Sequence, residues 1–272
     1  MSFYASSFPH LKVLLDNHVL WLTLNNPEQM NAISLEMVDS LTKVLKYADF
    51  DSAVRVIVIK GEGKGFCAGG DIKAMAGKTG MFAGEANELR VRYMHGIQQI
   101  PKTIEDLSTP VIAMVNGAAV GAGCDLAMMC DLRVGSPKSK FAETFARLNL
   151  VPGDGGTFFL QRVIGYSKAM QMFLTGEMIE GERASQWGLL NFLTTEDGLE
   201  AETTRIAKLI AESHGPSAVQ MTKKAMKISY LHDLGTSLDL LAGFQGITQR
   251  TEDHFEALKA FEEKRSPNFK GS

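Results

Sequence analysis

The chain has 272 residues, 45% hydrophobic and 22% charged, which allows one large domain or a domain with an appendage. A formal net charge of -3 and a pI near 6.1 speak against a nucleic-acid-binding surface. No window approaches the roughly 20 apolar residues that span a bilayer, and residues 1–15 hold no basic segment followed by an apolar run, so no membrane association and a cytoplasmic location are expected.

In chain order, Val19–Leu24 alternates as a half-buried strand does. Residues 34–48 then place Met37, Leu41, Val44, Leu45 and Ala48 at helical spacing behind a Ser34 N-cap. Residues 54–59 and Val111–Val115 are short β-branched runs suited to buried strands, each leaving through glycine into a helix start, which predicts an α/β layered core. From about residue 199 the pattern is helical throughout. Apolar residues recur at three and four spacing over 201–212, 217–231, 237–248 and 251–264, with breaks at Gly215-Pro216 and Gly235. The cysteines, Cys67, Cys124 and Cys130, sit in apolar or glycine-rich stretches rather than at disulfide or zinc spacing. A reducing compartment and no metal site are expected. His95, His214 and His254 form no ligand or triad spacing.

Two stretches are built alike. Ile57-Val58-Ile59-Lys60-Gly61 leads to Phe66-Cys67-Ala68-Gly69-Gly70-Asp71-Ile72, and Ile112-Ala113-Met114-Val115-Asn116-Gly117 leads to Val120-Gly121-Ala122-Gly123-Cys124-Asp125-Leu126. Each reads as strand, glycine-rich turn and helix start, where N–H groups lack intrahelical partners and small residues let a ligand reach the main chain. Two such turns facing each other offer converging donors for one carbonyl oxygen, an oxyanion hole. Neither is a nucleotide site. Gly121-Ala122-Gly123 lacks the third glycine of a dinucleotide fingerprint, and Gly63-Lys64-Gly65 lacks the Ser or Thr of a P-loop.

These segments resemble the two signature segments of the enoyl-CoA hydratase/isomerase, or crotonase, superfamily. The likeness continues through Leu24-Asn25-Asn26-Pro27, Met30-Asn31-Ala32, Val151-Pro152-Gly153-Asp154-Gly155-Gly156-Thr157, Leu174-Thr175-Gly176-Glu177 and Trp187-Gly188-Leu189 to Lys264-Arg265-Ser266-Pro267. The resemblance implies a ββα spiral core over residues 1–198 with an acyl-CoA site. It also implies a helical region over 199–272 that assembles a homotrimer or a dimer of trimers. It places the oxyanion donors on the N–H groups of Cys67 and Ala122, and the CoA contacts on Met30, Ala32, Cys67, Ala68, Gly69, Gly70 and Ala122, with Lys264 or Arg265 within reach of a CoA phosphate. CoA is part of the substrate, and no separate cofactor is implied.

The acids depart from the family's hydratases, which use two glutamates. The first aligns with Asp125 and the second with Phe145, which cannot move protons. Two acids nearby are candidates to replace it. Asp154, in a glycine turn, is the better one; Glu143 shares the face of Phe145 only if that stretch is extended, and otherwise reads as a solvated or salt-bridged side chain. Asp71 and Asp131 read as structural. Met75, Met81, Phe82 and Met94 fall in the segment that lines the acyl end in the family. Hydration of an enoyl-CoA is the first expectation. Double-bond isomerisation, acyl-CoA hydrolysis and a catalytically degenerate acyl-CoA-binding protein are the alternatives.

Overall fold

The computed structural model describes residues 3–272; Met1 and Ser2, the start of the N-terminal stretch considered above, lie outside the described residues. Strands β1 (Leu11–Asp16) and β2 (Val19–Leu24) form an antiparallel hairpin, and α1 (Leu35–Asp49) returns the chain to β3 (Val56–Gly61). Ser34 caps α1, its hydroxyl accepting from the Met37 N–H at 3.2 Å. Short helices α2 (Ile72–Ala76), α3 (Ala86–His95) and α4 (Gln99–Asp106) precede β4 (Val111–Val115), β5 (Ala118–Val120) and α5 (Ala122–Met129). Then come β6 (Leu132–Gly135), β7 (Lys140–Ala142), α6 (Gly156–Ile164), α7 (Tyr166–Thr175), β8 (Ile179–Glu180), α8 (Gly181–Trp187) and β9 (Phe192–Leu193). Four helices finish the chain: α9 (Leu199–Ser213), α10 (Pro216–Leu231), α11 (Leu234–Thr248) and α12 (Glu252–Glu263).

The strands make two sheets. One has the order β1-β2-β3-β4-β6-β9, parallel except for the first pair, and the other has the order β5-β7-β8. Alternate residues of the large sheet serve two cores. Leu20, Leu22, Leu24, Ile57, Ile59, Ala113 and Val115 face α1, α4 and α5, whereas Val19, Val56, Val58, Ile112, Met114 and Val134 meet Leu199, Ile206, Ala207 and Ala211 of α9. A strand buried on both faces cannot alternate polar and apolar residues, which is why β3 and β4 read as unbroken apolar runs.

The first helix of the C-terminal series is thus sheet covering, and the helices beyond Pro216 attach mainly through α10. Lys223, largely buried, pairs with Asp131 at 2.6 Å, and Asp131 also accepts the Val111 N–H. The break expected at Gly235 falls earlier. Asp233 caps α11 by accepting from Thr236 N–H, so Gly235 lies in the first helical turn. Met226, Tyr230, Leu234, Leu238, Phe255 and Phe261 of the last three helices are exposed. Among the described residues no helix is long and apolar enough to cross a membrane.

Candidate active site

The two glycine-rich turns meet backbone to backbone. Val120 N–H donates to Cys67 O, and a β-carbon on Gly123 would fall 2.0 Å from that same carbonyl, so only glycine permits the approach. Two asparagines hold the turns in place. Asn31, fully buried with a left-handed backbone, donates its amide to the carbonyls of Glu62, Gly65 and Phe66 at 3.0–3.2 Å. Asn116 exchanges hydrogen bonds with Gly61 at 3.0 and 3.1 Å and donates to Gly63 O.

This packing commits the N–H of Cys67, the expected donor, to Ala118 O at 3.0 Å, and the N–H of Ala68 to Met30 O at 2.9 Å. Gly69 turns the chain with φ +86°, and its carbonyl accepts the Ile33 N–H. The next N–H, on Gly70, has no acceptor among the described residues. Ala122 N–H, in the first turn of α5, is likewise free, and it lies 3.2 Å from the β-carbon position of Gly69. The free N–H groups are therefore those of Gly70 and Ala122. Cys67 itself is sealed: its thiol donates to Asn31 O, and burial pushes its pKa up to about 12, which disfavours a thiolate nucleophile.

Above Gly70 lie Met75 and Phe82, with Met75 Cε 2.5 Å and Phe82 Cζ 3.3 Å from its β-carbon position. They open onto a cavity of about 520 Å³ lined also by Leu89, Tyr93, Leu148 and Leu150. Tyr93, edge-on to Phe82, packs its ring against Gly153, whose carbonyl accepts from Gln98 Nε2 at 2.7 Å. The segment from α3 into α4 thereby fixes the loop that carries Asp154.

Asp125 is fully buried in α5, with Glu143 from the end of β7 on one side and Asp154 from the loop before α6 on the other. Among the described residues none of the six carboxyl oxygens is ion-paired, and their only side-chain hydrogen-bond partners are one another and the Cys124 thiol. Carboxyls in contact without a cation must share protons. Burial, then the charges of Glu143 and Asp154, hold the Asp125 pKa well above the usual carboxylate range. Burial pushes Glu143 up to about 8, and it also raises Asp154, opposed there by the hydrogen bond from Asp125. Glu143 is thus neither solvated nor salt-bridged; β7 ends at Ala142 and the chain turns inward before the 3-10 turn Phe145–Leu148. Phe145, at the position of the second family glutamate, lies against Gly121. Asp154 is not a helix cap, since Gly155 occupies that position at φ +109°.

The remaining expected residues are scattered by role. Ala32 is buried beside the first turn, and Met30 is partly exposed in a left-handed conformation. Asp71 caps α2 through the N–H groups of Lys73 and Ala74. Lys264 closes α12 in a left-handed conformation without an ion pair among the described residues, whereas Arg265 is engaged by Glu256 and Glu263. Among the described residues no cluster of His, Cys, Asp and Glu is arranged to hold a metal ion. Gly70, Tyr93 and Gln98 were not singled out as donor, cavity and loop-fixing groups by motif reading, because their roles depend on contacts across the fold.

The profile of the enoyl-CoA hydratase/isomerase family matches residues 15–272. The chain is 36% identical to (E)-benzylidenesuccinyl-CoA hydratase of Thauera aromatica over 95% of its length and 98% of that protein's. It is 32% identical to 1,2-epoxyphenylacetyl-CoA isomerase of Escherichia coli, covering 94% and 97% of the two chains. The crystal structure of an enoyl-CoA hydratase from Bacillus anthracis superposes with a TM-score of 0.90 at 33% identity, covering 97% of this chain and 100% of that one. With its spiral α/β core, paired glycine turns and helical C-terminal region, this chain belongs to the enoyl-CoA hydratase/isomerase family.

Proposed function

We propose that this protein adds water to a 2-enoyl-CoA thioester, with Gly70 and Ala122 N–H groups binding the thioester oxygen and Asp125 and Asp154 handling the protons. The observation that carries this reading is the contact between two buried, unpaired acids of unequal proton affinity. Asp125, pressed by a carboxyl on each side, holds its proton longer and serves as the acid toward the α carbon; Asp154 serves as the base toward water. As negative charge moves onto the thioester oxygen, the two N–H dipoles, fixed by backbone packing, stabilise it without reorganising. Met30, Ala32, Ala68 and Gly69 line the CoA approach, Lys264 is within reach of a phosphate, and the acyl group enters the cavity beyond Met75 and Phe82. The reaction requires no metal or separate cofactor. The exposed apolar face of α10–α12 serves a homotrimer or a dimer of trimers, which light scattering tests.

One observation favours a second reading. Asp125 and Asp154 are in contact, so a proton can pass between them and across an allyl system, which is double-bond isomerisation. Incubation with straight-chain, branched and cyclic enoyl-CoAs, read by mass spectrometry, separates the cases. A gain of one water supports hydration, unchanged mass with altered retention supports isomerisation, and free CoA indicates hydrolysis. Tight binding without turnover across the panel would overturn both and leave an acyl-CoA-binding protein.

A further inference from the structure

We propose that Glu143 is a positioning residue that keeps Asp125 in its protonated, acid-competent form. The inference rests on the reading above, in which Asp125 is the proton donor. The geometry is rigid on both sides. β7 pairs with β5, and its last carbonyl, Ala142 O, accepts the N–H of Gly121, the residue from which α5 starts, at 2.8 Å. That bond ties the base of Glu143 to the helix carrying Asp125. Glu143 is fully buried, as Asp125 is, and its side-chain partners are Asp125 and the Cys124 thiol, so it acts on the chemistry through Asp125.

Every neighbour of the pair works in the same direction or is neutral. Asp125 is faced by Glu143, by Asp154 and by the Cys124 thiol, which also lies against Glu143. Of the helices packed against α5, α6 buries Gly156, Leu160 and Ile164 and keeps its one charged residue, Arg162, exposed over Phe158, and α4 buries Ile100, Thr103 and Ile104 and brings no buried charge. Asp154 is faced in turn by Tyr93 and Cys67. The buried cation in this region, Arg133, donates to the carbonyls of Leu189 and Cys130 and to Asn191 Oδ1, and not to the acids. Above about pH 8, where Glu143 ionises, its charge beside Asp125, with no cation to offset it, makes loss of the Asp125 proton costly.

Replacing Glu143→Gln keeps the shape, removes the charge and presents a permanent N–H donor to Asp125. The alkaline limb of kcat/KM is expected to move to lower pH by about one unit, with KM for the CoA ester little changed. A limb that stays in place at wild-type rate would overturn the proposal. A readout without substrate keeps it separate from the functional reading: infrared absorption of protonated carboxyls, titrated with pH. The band lost in Asp125→Asn is expected to titrate at lower pH in Glu143→Gln, and also in Glu143→Met, which removes the acid without adding a donor. Unchanged titration in both variants would sink the inference, whatever the substrate panel shows.

Discussion

Gly156 and Asp125 are in direct contact: a β-carbon on Gly156 would fall 1.8 Å from Oδ1 of Asp125 and 2.4 Å from its Cγ. Gly156 opens α6, where alanine is intrinsically the better helix former, so its glycine serves the carboxyl and not the helix. Gly156→Ala is therefore expected to displace Asp125, lower turnover by about 100-fold or more and cost about 1–3 kcal/mol of stability. Steady-state kinetics and thermal melting measure the two effects. A variant of wild-type rate would show that Asp125 tolerates displacement.

Asp125→Asn removes the central proton of the cluster while keeping its volume. A fall in kcat of about 10²–10⁴ is expected, with KM for the CoA ester within a few-fold, because the proposed ester-binding groups are backbone N–H groups that the substitution does not touch. Product formation followed by mass spectrometry reads this directly. Undiminished turnover by Asp125→Asn would move the acid role to Asp154.

The α/β core, the capped α1 and the two glycine turns were legible because each rests on local pattern: apolar runs, an N-cap, a strand entering a helix through glycine; Asp125 was singled out by the family resemblance alone. The donor in the first turn was not. Whether Cys67 or Gly70 keeps a free N–H depends on the bond from Cys67 to Ala118 O, made between residues far apart in the chain, and no local pattern carries that register. The solvated or salt-bridged reading of Glu143 fails for the same reason. A glutamate two residues from a lost family acid reads as solvated until β7 is seen to pair with β5 and aim it at α5. Likewise α9 has the amphipathic pattern of any surface helix, and its place on the sheet follows only once β3 and β4 are known to be buried on both faces.

Asn31→Ala should be among the more damaging single changes away from the acids. It strips hydrogen bonds from three carbonyls, two of them in fully buried pairings, and leaves a left-handed backbone that asparagine tolerates better than alanine. A loss of about 2–4 kcal/mol in chemical denaturation is expected. The change is also expected to raise KM, since the carbonyls it releases belong to the turn that carries Gly70. A loss within experimental error would mean that water replaces the amide.

The acid cluster sets the sign of the pH dependence of stability. Glu143 is raised to about 8 and Asp125 and Asp154 lie above their unfolded values, so the folded protein binds more protons than the unfolded chain across that window. The contribution is fully present below the unfolded carboxylate pKa values, near pH 4, and is lost as pH rises through the folded ones. Surface carboxylates that are lowered act in the opposite sense, but the strongest, Glu256, is solvent-screened and titrates at about 2, below this window. The melting temperature is therefore expected to fall between about pH 5 and pH 9. The fall should flatten in Glu143→Gln, and further when Asp125→Asn is added, because each substitution removes a proton that only the folded state retains. A wild-type melting temperature constant across that range would mean that the three acids ionise freely in the fold, and Asp125 would then have no proton to deliver at neutral pH.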